Sequence, residues 1–445
     1  MSQPVSAGRG LVAVGVGLPL YAFLYDNANS WPLAMGYWWT RLLPMPRQLR
    51  MVEIAVVVLL LGWALTHGVS RVTRNLLAGA LVFVGVALMS YLHSEEVALL
   101  DAVRLVYMWV LPVVIFIIGR ELPWGPTAWK WIAVTVVTWV ALSALASWVQ
   151  FAVLGYPVGD DITGLNKDAH ANGTLMMFTA IHWLSFALFR HRRSAMAVAF
   201  TFLVTMTLSS VLKVMFLGAF AMALLLSLYA RSLPPRTTRG LPLVWKWAAA
   251  AGVAVILAGM AFTQIDVISS NRLGDFQDKL LNNPQSLGPL QAHQVAISKI
   301  GGELSTLALG LGPFHFANPI SVGQVLSDGN LSRKAATDVL AIADEKGEQT
   351  RITLTSSLLA EFGIPAFLAV VVMFSTLGGA LWRCGLANRA DLQWRGAAMV
   401  SCGAILAAIP WASLFGSIDV LSVSWPTMLL AGILCREASQ RGDAA

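Results

Sequence analysis

The segment SSLLAEFGIPAFL (356–368) places a carboxylate, Glu361, four residues before Pro365 at the start of a long apolar run. A carboxylate in hydrocarbon is costly unless it faces a polar cavity or a partner. Proline has no N–H, so the carbonyl of Glu361 loses its helical donor. With Gly363 between them, the segment predicts a distorted start to a span. Glu361 could accept a proton or hydrogen bond in a reaction, or the break could simply steer the chain.

Two histidines could also act as a general base. His293, in QAHQVAI, and His315, in GPFHFAN, each lie in apolar surroundings at the edge of a predicted element. A well-placed base near neutral pKa accelerates a reaction by about 10²–10⁴-fold. The alternative for each is a hydrogen-bonded structural histidine.

Basic residues near these groups could bind an anion. Lys213, in TLSSVLKVMF, stands at a tight junction of two apolar runs. Its ammonium could line an outward cavity or could snorkel to the membrane interface. Arg272 and Arg351 belong to a long loop in which most charges are ordinary solvated groups. We expect Glu361 to face an outward cavity near Arg351 and Lys213.

The loop GDDITGLNKDAHANG (159–173) gathers Asp160, Asp161, Asp168 and His170. Such side chains could ligate a divalent metal. Asp, Asn and Gly also form turns without any ligand. We therefore predict no metal site.

The composition defines the solvent that must surround these groups. The chain has 445 residues, 57% hydrophobic and 12% charged, with a mean hydropathy of +0.69. A soluble domain has about 25% charged residues. The sequence therefore predicts an integral membrane protein. Its continuous apolar runs indicate helices, because strands of a membrane barrel alternate in polarity.

The predicted architecture is an all-α polytopic membrane protein with about twelve transmembrane helices and one large helical loop. Residues 1–265 would hold helices 1–9, residues 266–355 the loop subdomain, and residues 356–445 helices 10–12 with a tail. The predicted spans lie near 10–25, 51–67, 76–92, 104–119, 131–154, 172–189, 194–210, 213–230, 247–265, 356–381, 397–415 and 418–435.

The basic residues set the expected orientation. With cytoplasmic termini, 17 of the 30 Lys and Arg residues fall on that side, against 6 in short loops opposite. Long loops translocate regardless of charge, so this comparison predicts cytoplasmic termini and an external loop. The basic residues behind the net charge of +7 are thus explained by membrane orientation, and we expect no nucleic-acid partner.

The large loop is too apolar and too regular for a disordered segment. NRLGDFQDKLLNN and LQAHQVAISKIGGELSTLAL have helical spacing, and RKAATDVLAIADEKG could form a further helix. No G-x-x-x-x-G-K-[ST] phosphate loop, H-E-x-x-H or G-x-S-x-G motif occurs in the sequence. An ATP-driven pump is therefore not indicated.

Two segments of this loop region carry a family resemblance. ALGLGPFHF (308–316) and LTSSLLAEFGIPAFL (354–368) resemble motifs of the O-antigen ligases and Wzy-type polysaccharide polymerases, and KDAHANGTLMMF (167–178) is loosely similar to a loop of that family. The matching positions are Gly310, Gly312, Pro313, Phe316, Leu359, Glu361, Gly363, Ile364 and Pro365. The family's histidine before the glutamate corresponds to Ile352 here, and Lys213 is the cation nearest to a family arginine.

The resemblance implies glycosyl transfer on the periplasmic face of the bacterial inner membrane, without a cofactor. A polyprenyl-diphosphate-linked glycan would be the donor, and a hydroxyl of a glycan or lipid acceptor would attack it. By this resemblance, Lys213, Arg272, Lys167 and His170 would bind the diphosphate or substrate, with Arg351 as a further cation. The acceptor hydroxyl would be met by Glu361, His293 or His315.

We expect a polymerase of undecaprenyl-diphosphate-linked repeat units, for exopolysaccharide or O-antigen. One alternative is an O-antigen ligase that transfers the glycan to lipid A core. Another is a flippase or transporter of the lipid-linked glycan, although the large loop and the lack of an internal repeat disfavour it. Membrane lipids, a chain-length regulator and a flippase of the same pathway are the expected partners.

Overall fold

The computed structural model describes a predominantly helical protein. It covers residues 69–94, 99–122, 128–156, 162–165, 169–190, 193–209, 288–313, 341–343, 349–351, 354–387 and 419–442. Within these ranges the helices are α1 (Arg71–His93), α2 (Leu99–Glu121), α3 (Ala128–Ala152), α4 (Ala169–Arg190), α5 (Arg193–Leu208), α6 (Gly288–Ile300), α7 (Leu304–Leu309), α8 (Leu354–Ala387) and α9 (Asp419–Gly442). Two short strands, β1 (Ala341–Ala343) and β2 (Gln349–Arg351), complete the described elements.

Seven of the predicted spans correspond to α1–α5, α8 and α9. Among the described residues, Arg71–His93 and Thr355–Ala380 are long and apolar enough to cross a bilayer. Shorter apolar helical stretches cover Val136–Ala152 and Ser194–Leu208. These helices favour membrane association, while the twelve-span count and the orientation stay predictions. The other five predicted spans lie outside the described residues.

Among the described helices, α1 packs against α8, α2 against α9 and α4 against α5. Where α2 and α9 meet, Gly119 faces Gly432. A Cβ atom on Gly432 would lie 2.2 Å from the carbonyl oxygen of Phe116. Small residues that let backbones touch are typical of helix contacts in membranes. The hydrophobic effect does not drive helices together in lipid, so their association depends on close packing.

One face of several helices is apolar and exposed. On α1, Leu76 and Phe83 are fully buried against α8, whereas Leu81 and Leu92 are about 70% exposed. Exposed apolar side chains also lie along one face of α3 and in the middle of α8, between Ile364 and Val372. An apolar outer surface on apolar helices is what a lipid solvent permits.

A charged cluster joins one end of α1, α2 and α9. The Glu121 carboxylate accepts hydrogen bonds from the hydroxyls of Ser70, at 2.7 Å, and Thr73. Arg120 Nε lies 3.8 Å from the same carboxylate, and Arg436 donates to the Glu121 carbonyl at 2.9 Å. Burial lowers the pKa of Arg436, and the Glu121 charge opposes that shift. The guanidinium stays charged, because arginine does not deprotonate in proteins.

The described part of the large loop is only partly helical. The predicted helix through LQAHQVAISKIGGELSTLAL is confirmed, but it divides into α6 and α7 at Gly301 and Gly302. The predicted helix RKAATDVLAIADEKG is wrong at Ala341–Ala343, which forms β1 and pairs antiparallel with β2. This pairing gives three residues the backbone partners that a helix would otherwise supply. NRLGDFQDKLLNN lies outside the described residues.

Candidate functional site

Helix α8 is broken one turn before its apolar body, as the sequence predicts. Gly363 has φ 77° and ψ −179°, a conformation that side-chain-bearing residues essentially do not adopt. Pro365 follows two residues later and has no N–H to give to the Glu361 carbonyl. The break therefore leaves backbone carbonyls of the preceding turn in need of other donors.

The turn after α7 supplies two of these donors. Leu311 N–H donates to the Ala360 carbonyl at 2.8 Å, and Gly312 N–H donates to the Glu361 carbonyl at 3.1 Å. Gly310, with φ 76°, lies so close that a Cβ atom there would be 2.3 Å from the Glu361 carbonyl carbon. The two segments that carry the family resemblance are thus in backbone-to-backbone contact.

Helix α1 provides a third donor from a distant part of the sequence. Ser90 Oγ donates to the same Glu361 carbonyl at 2.8 Å, and both residues are buried. The rings of Phe83 and Phe362 meet edge to face beside this bond, with centroids 6.0 Å apart. We call this arrangement the Glu361 junction: Ser90, Gly310, Leu311, Gly312, Ala360, Glu361 and Gly363.

His293 approaches the first turn of α8 from α6. Its Nε2 atom lies 2.9 Å from Thr355 Oγ1, and the ring is partly buried. Thr355 precedes Glu361 by six residues, which corresponds to about 9 Å along a helix axis. Because α6 also packs against β2, which ends at Arg351, the structure brings the elements of three predicted site residues together.

The remaining predicted residues contribute less to the described geometry. His170 lies in the first turn of α4, and Arg351 ends β2 opposite Ala341, but their side chains are not described. The predicted residues Lys167, Lys213, Arg272 and His315 lie outside the described residues, as does Ile352. Glu361 is 0% exposed, so its side chain faces neither lipid nor the open outward cavity that the sequence led us to expect.

A second buried polar arrangement joins α3, α4 and α5. Asn172 Nδ2 donates to Ser147 Oγ at 2.9 Å and to Ser209 Oγ at 2.7 Å, while Ser143 Oγ donates to Asn172 Oδ1 at 2.9 Å. All four residues are fully buried. The side-chain amide of Asn172 therefore has partners for both its donors and for its acceptor.

The same arrangement holds a short loop segment. Gln150 binds both backbone groups of Gly164, accepting from its N–H at 2.9 Å and donating to its carbonyl at 3.2 Å. Leu165 N–H donates to Ser143 Oγ at 3.0 Å. We call Ser143, Ser147, Gln150, Gly164, Leu165, Asn172 and Ser209 the Asn172 network.

Three predicted binding residues flank this network in sequence. Lys167 comes two residues after Leu165, His170 comes two before Asn172, and Lys213 comes four after Ser209. Lys167 and Lys213 lie outside the described residues and the side chain of His170 is not described, so the relation of all three to the network is one of sequence alone.

Sequence reasoning missed Ser90, Thr355 and the network residues. A single Ser, Thr or Asn in an apolar helix has no spacing that distinguishes a cross-helix partner from a local one. The only available signal was the cost of burying such groups without a partner, which says that a partner exists but not which one.

Among the described residues, no group of three or more His, Cys, Asp or Glu side chains could hold a metal ion. Comparison of the chain with protein-family models and with curated proteins found no match.

Proposed function

We propose that this chain is an inner-membrane glycosyltransferase that polymerises undecaprenyl-diphosphate-linked repeat units of exopolysaccharide or O-antigen on the periplasmic face. The observation that carries the proposal is the Glu361 junction. Two sequence segments that resemble motifs of one enzyme family are joined there by backbone hydrogen bonds between residues 49 positions apart, Leu311 with Ala360 and Gly312 with Glu361. Their proximity is what a shared role in one site requires.

The reaction needs one bond made and one broken. The oxygen of an acceptor hydroxyl attacks the anomeric carbon of the donor glycan, and the bond from that carbon to the phosphate oxygen breaks. The undecaprenyl diphosphate leaves with the electron pair, and the hydroxyl proton passes to a base. Cations that face the departing diphosphate lower the barrier by several kcal/mol when they are held in a dry site.

The geometry supports different roles for the two described base candidates. His293 is partly exposed, and the Thr355 hydroxyl holds one of its ring nitrogens, so its imidazole is the group better placed to receive the proton. The family's own histidine position, Ile352, precedes Thr355 by three residues. The imidazole of His293, which contacts Thr355 from α6, would therefore lie near the place of the family's histidine in the sequence. Glu361 is buried nearly two helical turns further on and would support the site through its carboxyl group without receiving the hydroxyl proton itself.

The Asn172 network supports a diphosphate site built from several segments. The described residues of this network, Leu165, Asn172 and Ser209, are close in sequence to Lys167, His170 and Lys213. Cationic groups that are already in place need little reorganisation when an anion binds, so we propose that these three residues bind the diphosphate. Arg351, on the strand beside α6, is the cation candidate nearest in sequence to the Glu361 junction.

The position of the charged cluster supports the proposed orientation. Thr73, at the Glu121 end of α1, and Ser90, at the Glu361 junction, are separated by about 25 Å of helix. This distance approaches the thickness of a bilayer core, about 30 Å. Arg120 and Arg436, expected on the cytoplasmic side, thus lie at the opposite end of α1 from the proposed site.

The reaction class is tested with purified protein in lipid nanodiscs and lipid-linked repeat units as the only substrate. We expect products longer than one repeat unit and release of undecaprenyl diphosphate. Transfer that occurs only when lipid A core is added would overturn the polymerase in favour of a ligase. No product under either condition, together with transport of the donor in sealed vesicles, would overturn both enzymes in favour of a transporter.

The cation assignment has its own test. We expect Lys213→Ala and Arg351→Ala to abolish elongation while the protein remains in the membrane at its normal level. Lys299→Ala is the control, because Lys299 is exposed at the end of α6 and has no proposed role. Full-length polymer from Lys213→Ala and Arg351→Ala would contradict the assignment.

A further inference from the structure

Ser90 departs from the usual behaviour of a hydroxyl residue in a helix. Such residues commonly donate to the carbonyl four positions earlier in their own helix. Several in this chain do so, namely Ser147, Thr179, Thr201, Thr205 and Ser439. Ser90 instead donates to the carbonyl of Glu361, 271 positions away. This hydrogen bond therefore depends on the packing of α1 against the junction and does not follow from helix geometry.

The Glu361 carbonyl would be satisfied without Ser90. One donor is enough to pair a buried carbonyl, and Gly312 N–H already provides one at 3.1 Å. A carbonyl oxygen has two lone pairs, and Ser90 occupies the second from a different element. Two donors from two directions fix the orientation of the peptide plane, and with it the backbone from which the Glu361 side chain projects.

We propose that Ser90 is a positioning residue for Glu361, so that α1 and the loop turn together hold the carboxylate in its working orientation. This inference rests on the proposed function. It assigns to a residue in the first quarter of the chain a part in the site formed by the loop and α8. Ser90 does not contact the substrate in this proposal and acts only through the orientation of Glu361.

The test compares Ser90→Ala with Ser90→Thr and Ser94→Ala in the purified polymerisation assay. Ser94 is the matched control, since its hydroxyl donates to the Tyr91 carbonyl at the end of the same helix, a local contact away from the Glu361 junction. Loss of one orienting hydrogen bond should lower kcat about tenfold in Ser90→Ala and change KM less than about twofold. Ser90→Thr should recover most of kcat, and Ser94→Ala should match the wild type. An unchanged kcat in Ser90→Ala, or an equal loss in Ser94→Ala, would overturn the proposal.

A double-mutant cycle separates positioning from general stability. If Ser90 acts through Glu361, Ser90→Ala should have little further effect on kcat in a Glu361→Gln background. If Ser90 only stabilises the fold, the two losses should multiply, and that result would overturn the proposal.

Hydrogen exchange tests the inference without activity. The Leu311 and Gly312 amides should exchange faster in Ser90→Ala than in Ser94→Ala, because the turn then docks on a less fixed carbonyl. If these amides exchange faster in Ser90→Ala but the wild type makes no polymer, the Ser90 hydrogen bond is supported and the proposed function is contradicted. Unchanged exchange in an active protein would remove the Ser90 proposal alone.

Discussion

The Glu361 junction and the Asn172 network are both buried and polar, but they are built from different groups. In the junction, main-chain N–H groups of Leu311 and Gly312 donate to main-chain carbonyls, and the side chain of Ser90 adds a further donor. In the network, the side-chain amides of Asn172 and Gln150 and the hydroxyls of three serines make the bonds, both to one another and to the backbone of Gly164 and Leu165.

This difference determines how each region can be altered. Main-chain groups are present at every residue, so the junction depends on whether the two backbones can approach, which in turn depends on its glycines. The network depends on specific side chains, each of which a substitution can remove. The stability of the junction should therefore depend most on the absence of side chains at its glycines, and the stability of the network on the presence of each polar side chain.

The largest effect is expected from adding a methyl group to the junction. In Gly310→Ala the new Cβ would lie 2.3 Å from the Glu361 carbonyl carbon, and the residue would have to keep a φ of 76°. We expect a loss of about 4 kcal/mol or more in unfolding free energy, because backbone cannot move aside as a flexible side chain can. Thermal unfolding of the purified protein in detergent measures it.

Gly302→Ala is the control for this change. Gly302 lies in the same loop region, and a Cβ there would meet nothing within 4 Å. Equal unfolding temperatures for Gly310→Ala and Gly302→Ala would show that the two backbones do not dock as described.

A smaller loss is expected when the centre of the network is removed. Asn172→Ala leaves three buried serine hydroxyls without their shared partner, which should cost about 2–4 kcal/mol. Asn172→Asp keeps the size but replaces two donors with acceptors and adds a charge, so we expect it to be no better. Thr201→Ala, on the exposed side of α5, should change the unfolding temperature little. A tolerated Asn172→Ala would remove the distinction between the two regions.

The smallest loss is expected at the edge of the network. Gln150→Ala loses both hydrogen bonds to the backbone of Gly164. We expect a loss of about 1 kcal/mol in unfolding free energy for each of these bonds, which is about 2 kcal/mol in all. Faster amide exchange at Gly164 and Leu165 in Gln150→Ala would locate the effect. Equal exchange in Gln150→Ala and the wild type would contradict the loop contact.

Hydrophobic length and helix breakers made much of the described fold predictable. The predicted spans 76–92 and 172–189 fall inside α1 and α4, since an apolar run of this length has few other structures available. The break at Gly363 was predictable because glycine and proline act on the local backbone. The strand at Ala341–Ala343 was not predictable, because the spacing of apolar residues there is helical and does not indicate that the segment pairs with Gln349–Arg351.

The site was less predictable than the fold, because its contacts join distant residues. Glu361 and His293 were chosen from their residue types, but nothing in the sequence links His293 with Thr355 or Ser90 with Glu361. The docking of Gly310–Gly312 on the α8 break could be expected only from the resemblance of both segments to one family. The positions of Lys213, Arg272, His315 and Lys167 stay predictions.

The central claim, that the Glu361 junction carries the glycosyl transfer, is tested most directly by the chain lengths formed from lipid-linked repeat units by purified protein. Wild type and the Thr201→Ala control should both produce a ladder of products. Glu361→Gln, inserted in the membrane at the same level, should leave the repeat units almost unextended. An unchanged ladder from Glu361→Gln would contradict the account.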